Sequence, residues 1–539
     1  MTTRSTSSRP RRARLSGGLK LLLAAVFAVA ILLPLCRMFF EMDGESIRAV
    51  LYAETFGETL LNSVSVALTS TVIVVLLAYA LAVATERVDI KLKGLFALIF
   101  TLPMLVPSIS EGMGLVILLG NNGILTRLLG LTQGVYGFVG IVLGSVIYAF
   151  PVAYLMLADI LRYEDMTPYE AARVLGLSRW RQFTAITLPY LRRPLVSVVF
   201  SVFTLVITDY GVPLMVGGQC KTIPVVMYQE VIGQLKFGRG AVYGAILLIP
   251  AVATFLFDLF SRDRANGAFV TGSETSRSST GARVAAYVGC ALTACLILLP
   301  FLSFIVLAFA TKYPADLTPT LDHIGTALLI GADRYLVNSV VIALSVAVVG
   351  TAIGFVTAYF TARMRSPASR FLHLASITTG AIPGVVLGLA YVLVFKGSPL
   401  YGTLALLVAV NAVHFLSSPY LMMYNSLSKI NENLEAVGDT LGVSRGRMVL
   451  DVFLPRCAGT LLEMFSYFFV NCMMTISAVS FLANFRNKPV SLMINQFEAQ
   501  SQMECAAVVS LAILFVNLLL KAAIWGVRRA RRRKETCVL

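Results

Sequence analysis

Apolar residues along this chain gather in long runs separated by short polar stretches; they neither alternate with period two nor mark one helix face. Each run approaches the roughly 20 apolar residues that an α-helix needs to cross the hydrocarbon core of a bilayer. The pattern predicts spans near 19–40, 61–84, 95–119, 137–161, 191–216 and 241–260. A second set follows near 284–310, 338–361, 371–396, 402–424, 457–482 and 505–527. The expected fold is therefore an all-α membrane protein of about twelve transmembrane helices. Arg9, Arg11, Arg12 and Arg14 precede the first run, as in a signal peptide, but no A-x-A site follows it. An uncleaved anchor is expected.

Composition sharpens this reading. Of 539 residues 57% are hydrophobic and 13% charged, against roughly 25% charged in soluble domains. That excludes a secreted disulfide scaffold, a disordered regulator and a cytosolic enzyme. The formal net charge of +16 reads first as topology, because Lys and Arg collect in cytoplasmic loops. With both termini inside, the inner segments hold 32 Lys and Arg and the outer loops 11. The basic run from Arg528 to Lys534 then reads as an anchor at the anionic inner leaflet of the lipid bilayer, and no nucleic acid is implied. Eight cysteines without a C-x-x-C pair and three scattered histidines, His323, His373 and His414, predict no metal site.

The two sets of spans repeat one another. Residues 62–68 (NSVSVAL) match 338–344 (NSVVIAL) at a shift of 276, at which Ala78 meets Gly354, Arg87 meets Arg363 and Pro107 meets Pro383. Further on the shift is 266, and LGLSR (175–179) matches LGVSR (441–445). Both copies start from the same side, so the duplication is parallel. The expected organisation is a basic tail (1–18), a first repeat (19–260), a Ser/Gly/Thr-rich cytoplasmic linker (261–283), a second repeat (284–527) and a basic tail (528–539).

The longest inner segments, 162–190 and 425–456, separate the fourth and fifth spans of each repeat. In the first, Thr167 suits a helix cap, Pro168 the first helical position and Glu170 a capping box. Gly176 suits the left-handed turn that ends a helix, and Ser178 a second cap. Asn433, Gly442 and Ser444 repeat the plan. Each loop is thus a helix–turn–helix knob.

EAARVLGLSRWRQFTAITLP (170–189) resembles the EAA loop of permease subunits in ATP-binding-cassette importers. EAVGDTLGVSRGRMVLDVFLP (435–455) is similar, except that Glu435 lies one place early and Ala436 holds the usual glutamate position. The resemblance covers nearly the whole chain. It implies a type I importer fold in a bacterial inner membrane and docking of ATPase subunits on Glu170, Ala171, Ala172 and Gly176 and on Glu435, Ala436 and Gly442. It also implies two such ATPases and a periplasmic or lipid-anchored solute-binding protein. Glu170 and Glu435 also fit plain capping at a positive helix N-terminus, worth about 0.3–1 kcal/mol each, and Gly176 and Gly442 ordinary C-caps. No G-x-x-x-x-G-K-[ST] pattern is present, so ATP is expected on a partner subunit, with no cofactor and no enzymatic activity in this chain.

A charge at bilayer depth costs at least about 2.5–3.5 kcal/mol, so intramembrane polar residues mark pathway candidates. Glu111, Asp209 with Tyr210, and Asn471 are those candidates, with helix–helix hydrogen bonding as the alternative for Glu111, Asp209 and Asn471. Residues 208–240 are similar to fused permeases for 2-aminoethylphosphonate uptake, which makes an organophosphonate the first expected solute. Ferric iron is second, since fused two-loop permeases also resemble ferric-iron importers, and single-loop relatives carry polyamines. A duplicated secondary transporter is the reading from another class; it would lack an ATPase dock.

Overall fold

The computed structural model describes residues 9–130, 133–261, 279–364 and 366–536. Most of the expected linker, 262–278, and the extreme ends of both basic tails lie outside the described residues. Among those described, seven helices are long and apolar enough to cross a membrane: Gly17–Phe40, Phe56–Glu86, Phe138–Arg162, Phe237–Phe257, Thr280–Phe309, Ala332–Arg363 and Met503–Arg531. Three bent pairs raise the number to ten. They are Arg179–Arg192 with Pro194–Ile207 (58°), Pro367–Ala381 with Gly384–Phe395 (112°), and Leu404–His414 with Ser417–Ser428 (55°).

The two remaining apolar runs are built from shorter pieces. The run at 95–119 consists of Lys93–Phe100, a 3-10 turn over Leu102–Leu105, and Ser108–Leu119. Pro103 and Pro107 have no N–H to give and restrict the residue before them, so a continuous helix is not available there. Pro383, the repeat equivalent of Pro107, sits at the 112° bend of the second half. The run at 457–482 is helical over Ala458–Met474 and continues as turns. The only strands among the described residues, Ala310–Lys312 and Asp316–Pro319, form an antiparallel hairpin after the Thr280–Phe309 helix.

The chain divides into two compact units that do not follow the repeat boundaries. One contains Gly44–Ala332 with Val490–Leu514, the other Met1–Asp43 with Asp333–Pro489 and Phe515–Leu539. The first helix of each repeat is exchanged. In one unit the Thr280–Phe309 helix packs on Ser108–Leu119, Lys93–Phe100 and Phe56–Glu86. A Cβ at Gly114 would stand 2.7 Å from Cβ of Pro300, so these backbones approach closely. In the other unit the N-terminal helix packs on Gly384–Phe395, and the Tyr391 hydroxyl donates to the Ala30 carbonyl at 2.8 Å. Lys20 Nζ donates to the Met364 carbonyl at 3.0 Å.

Candidate docking and translocation sites

Each of the two loops expected on the inner side folds as a short helix, a glycine turn and a second short helix. The first runs Thr167–Val174, Gly176, then Arg179–Gln182; the second runs Leu434–Thr440, Gly442, then Arg445–Met448. Gly176 and Gly442 hold φ of +69° and +70°, the left-handed region where a Cβ is disfavoured. The amide of Leu177 donates to the Ala172 carbonyl at 2.9 Å, and that of Val443 to the Gly438 carbonyl at 2.9 Å. These bonds satisfy carbonyls that a helix end leaves open. Ser178 Oγ accepts from the Arg181 amide at 3.4 Å and Ser444 Oγ from the Arg447 amide at 3.3 Å, the expected caps.

The start of each loop helix differs from the expectation. Thr167 is not the cap: Asp165 Oδ1 accepts from the Thr167 amide (2.9 Å) and from the Thr167 hydroxyl (2.7 Å). These bonds hold the exposed Asp165 carboxyl below the usual carboxylate range, the backbone bond contributing most. Asn431, its repeat equivalent, accepts from the Asn433 amide at 2.9 Å. The D-x-T and N-x-N spacings carry this signal, because Asp and Asn side chains reach their own backbone two residues on.

Glu170, Ala171 and Gly176 are exposed, whereas Ala172 is buried. Val174 (88% exposed), Leu175 and Trp180 extend the exposed face, with Arg173, Arg179 and Arg181 at its rim. In the second loop Ala436, Val437, Leu441 (74% exposed) and Gly442 are exposed. Glu435 points the other way. Its carboxylate forms a two-pronged ion pair with Arg363, with Nε to Oε1 at 2.6 Å. Contiguous exposed apolar side chains on a rigid knob mark a surface for a protein partner.

Asp209 lies between the Leu188–Ile207 and Gly211–Val216 helices. Its carboxylate accepts from Ser108 Oγ at 2.7 Å and from the amides of Val212 (3.0 Å) and Gly211 (3.3 Å). It therefore ties the start of the Ser108–Leu119 helix to the break in the fifth span. Tyr210 is buried and stacks on Tyr228 with ring centroids 5.1 Å apart. Glu111 is one turn into the Ser108–Leu119 helix and fully buried, and neither carboxylate oxygen has a hydrogen-bond partner among the described residues. These three residues share one compact unit. Asn471 belongs to the other, and its amide donates to the Tyr467 carbonyl at 2.8 Å.

The second half keeps the Ser108 contact in reversed chemistry. Gly384 is the equivalent of Ser108, and Ser477 of Gly211. A Cβ at Gly211 would lie 2.3 Å from Ser108 Oγ, and one at Gly384 would lie 2.2 Å from Ser477 Oγ. Each half thus places one serine against one glycine where its broken helices meet. Among the described residues no group of three or more His, Cys, Asp or Glu side chains is arranged to hold a metal ion.

Comparison with known proteins agrees with this construction. The family model for the binding-protein-dependent transport system inner membrane component matches twice, over residues 75–264 and 350–533. A ferric transport system permease of Actinobacillus pleuropneumoniae is 24% identical over 495 residues, covering 86% of this chain and 72% of its own length. A Haemophilus influenzae protein provisionally named as a ferric transport permease is 24% identical over 420 residues, covering 75% of this chain and 66% of its own length. A molybdenum transport permease of Haemophilus influenzae is 30% identical over 174 residues, 31% of this chain and 76% of that protein. With both halves matched, the chain belongs to the binding-protein-dependent transport system inner membrane component family and is a two-repeat permease of an ATP-binding-cassette importer.

Proposed function

We propose that this chain is the permease of a ferric-iron importer. Each inner knob docks one ATPase subunit, ATP is hydrolysed on those subunits, and a solute-binding protein delivers iron at the outer face. The pair of matched knobs carries the docking part: each presents an exposed apolar face on a helix locked by its own glycine turn. On the first knob the contact surface is Glu170, Ala171, Val174 and Leu175; on the second it is Ala436, Val437 and Leu441. Glu435 takes the inward role and Ala436 the outward one. Both termini lie in the cytoplasm, following the Lys and Arg bias of the inner loops.

Iron is favoured over the aminophosphonate first expected from residues 208–240, because relatives matched along most of this chain carry the ferric transport name. The interior chemistry supports the same choice. Glu111 and Asp209 supply hard oxygen donors within one unit, and such donors suit a hard cation.

The test is uptake into proteoliposomes holding the permease, its ATPase and its binding protein. Radioactive ferric iron should accumulate with ATP, while labelled 2-aminoethylphosphonate should not. Phosphonate uptake without iron uptake would reverse the assignment, and vanadate-insensitive, gradient-driven uptake would place the chain among secondary transporters. Mass measurement of the complex should give one copy of this chain per two ATPases, and Leu175→Asp on the exposed face should release ATPase.

A further inference from the structure

We propose that Arg87 and Arg363 are positioning residues that couple each docking knob to the long second helix of its repeat, so that knob and helix move as one body. The inference rests on the docking reading and adds the route by which ATPase motion enters the membrane.

Both arginines stand at the inner end of that helix. Arg87 follows Phe56–Glu86 and Arg363 ends Ala332–Arg363, and the two are equivalent at the 276 shift. Each reaches its own knob across more than seventy residues of chain. Arg87 pairs with Glu164, whose side chain is 2% exposed, donates to the Tyr169 hydroxyl at 3.4 Å and lies 4.9 Å over the Tyr169 ring. The Tyr169 hydroxyl in turn donates to Glu164 Oε1 (2.6 Å) and bonds Thr187 Oγ1 (2.8 Å). Arg363, 3% exposed, holds Glu435 by two bonds and donates to the carbonyls of Ile430 and Asn431, each at 2.7 Å. It lies 5.5 Å from the Phe453 ring.

At the 266 shift Glu164 corresponds to Ile430, Tyr169 to Glu435 and Thr187 to Phe453. Both arginines therefore contact two equivalent loop positions, 164/430 and 169/435, and the third, 187/453, is reached by Arg87 through Tyr169 and by Arg363 directly; the chemistry has been redistributed. In the first half the acid precedes the loop helix and the aromatic ring sits on it. In the second the acid sits on the loop helix and the ring follows it, while a bare carbonyl replaces the first acid. A packing accident would not keep an acid, a ring and an arginine together while moving the acid and the ring between positions. The requirement is a cation at the helix end that grips the knob at several points. Arg meets it, because its planar fork serves a carboxylate and carbonyls at once, which a Lys ammonium does on only one axis. Tyr169 and Glu435 face inward and their neighbours Glu170 and Ala436 face outward, so one short helix carries the coupling contact on one side and the dock on the other.

The test uses the whole reconstituted complex with Arg87→Lys, Arg363→Lys, and a transplant that gives the first knob the second knob's chemistry (Glu164→Ile, Tyr169→Glu, Thr187→Phe). In the two Lys variants ATPase co-purification and basal ATP hydrolysis should stay at the parental level. Transport should fall about tenfold, the scale set by losing a charge-assisted bond, so that more ATP is hydrolysed per ion moved. The transplant should keep the parental ratio. Parental ATP-to-solute ratios in both Lys variants would overturn the proposal. So would loss of ATPase from either, which would make the arginine a strut for the knob and leave the reading of the knob as the dock standing. Should Leu175→Asp fail to release ATPase, the docking reading falls on separate grounds.

Discussion

Substituting Gly442 by Val isolates one physical quantity, the strain of a left-handed backbone. A Cβ there meets nothing within 4 Å, so no clash contributes. The backbone holds φ +70°, where a residue other than glycine costs about 1–2 kcal/mol and a β-branched one fits worst. The variant can bear the strain or leave the turn, giving up the Val443-to-Gly438 bond that closes the helix. In the second case only a fraction of knobs keeps the docking angle, and apparent affinity falls by that fraction. For roughly 1–2 kcal/mol the loss is about 5- to 30-fold. The assay is titration of purified ATPase onto detergent-solubilised permease whose first dock carries Leu175→Asp, so that the second dock is read alone. Gly442→Val should weaken binding in that range, Gly442→Ala less, and Gly442→Asn least, since Asn tolerates the left-handed region. Membrane insertion should not change, because the turn lies outside the spans. Equal affinity across the series would refute the reasoning, since the three side chains differ in the strain invoked and in no neighbour.

Asp209→Asn keeps one of the two oxygens that accept from the Gly211 and Val212 amides and should lose less thermal stability in detergent than Asp209→Ala, which loses both capping bonds and should cost about 1–2 kcal/mol; iron uptake should fall in the Asn variant, and unchanged uptake there would remove Asp209 from the pathway. Gly384→Ala would bring a Cβ to 2.2 Å from Ser477 Oγ and 2.9 Å from His414 Nε2, so its melting temperature should drop and recover in part with Ser477→Gly. Asp165 is held below the ordinary carboxylate range when folded, so its capping bonds add stability throughout neutral pH and lose it as pH falls through that lowered value. Protection of the Thr167 amide from hydrogen exchange, taken relative to an unstructured amide at the same pH, should drop only in strongly acidic buffer, and a drop already near neutral pH would contradict this.

Features fixed by neighbouring residues were legible in the chain. The glycine turns at 176 and 442 and the serine caps at 178 and 444 involve partners within a few positions, so local backbone chemistry decides them. Hydrophobic run length marked the membrane helices, and matched segments marked the duplication that the family match bears out. Pro103, Pro107 and Pro383 stood in the sequence, yet apolar runs read by length alone do not show a break, and the structure splits the helix at each. Other features depend on partners far along the chain. Exchange of the first helix between repeats follows from which apolar faces fit, such as Gly114 against Pro300, and hydropathy is blind to that. The repeat pairs Arg87 with Arg363, but what they grip lies 67 or more residues away, and only tertiary packing brings it near. Glu435 shows the difference within one side chain. Its sequence position aligned it with a docking acid displaced by one, whereas a step of one residue on a helix turns a side chain by about 100°. That rotation takes it from the exposed face to Arg363, and the fold assigns its role.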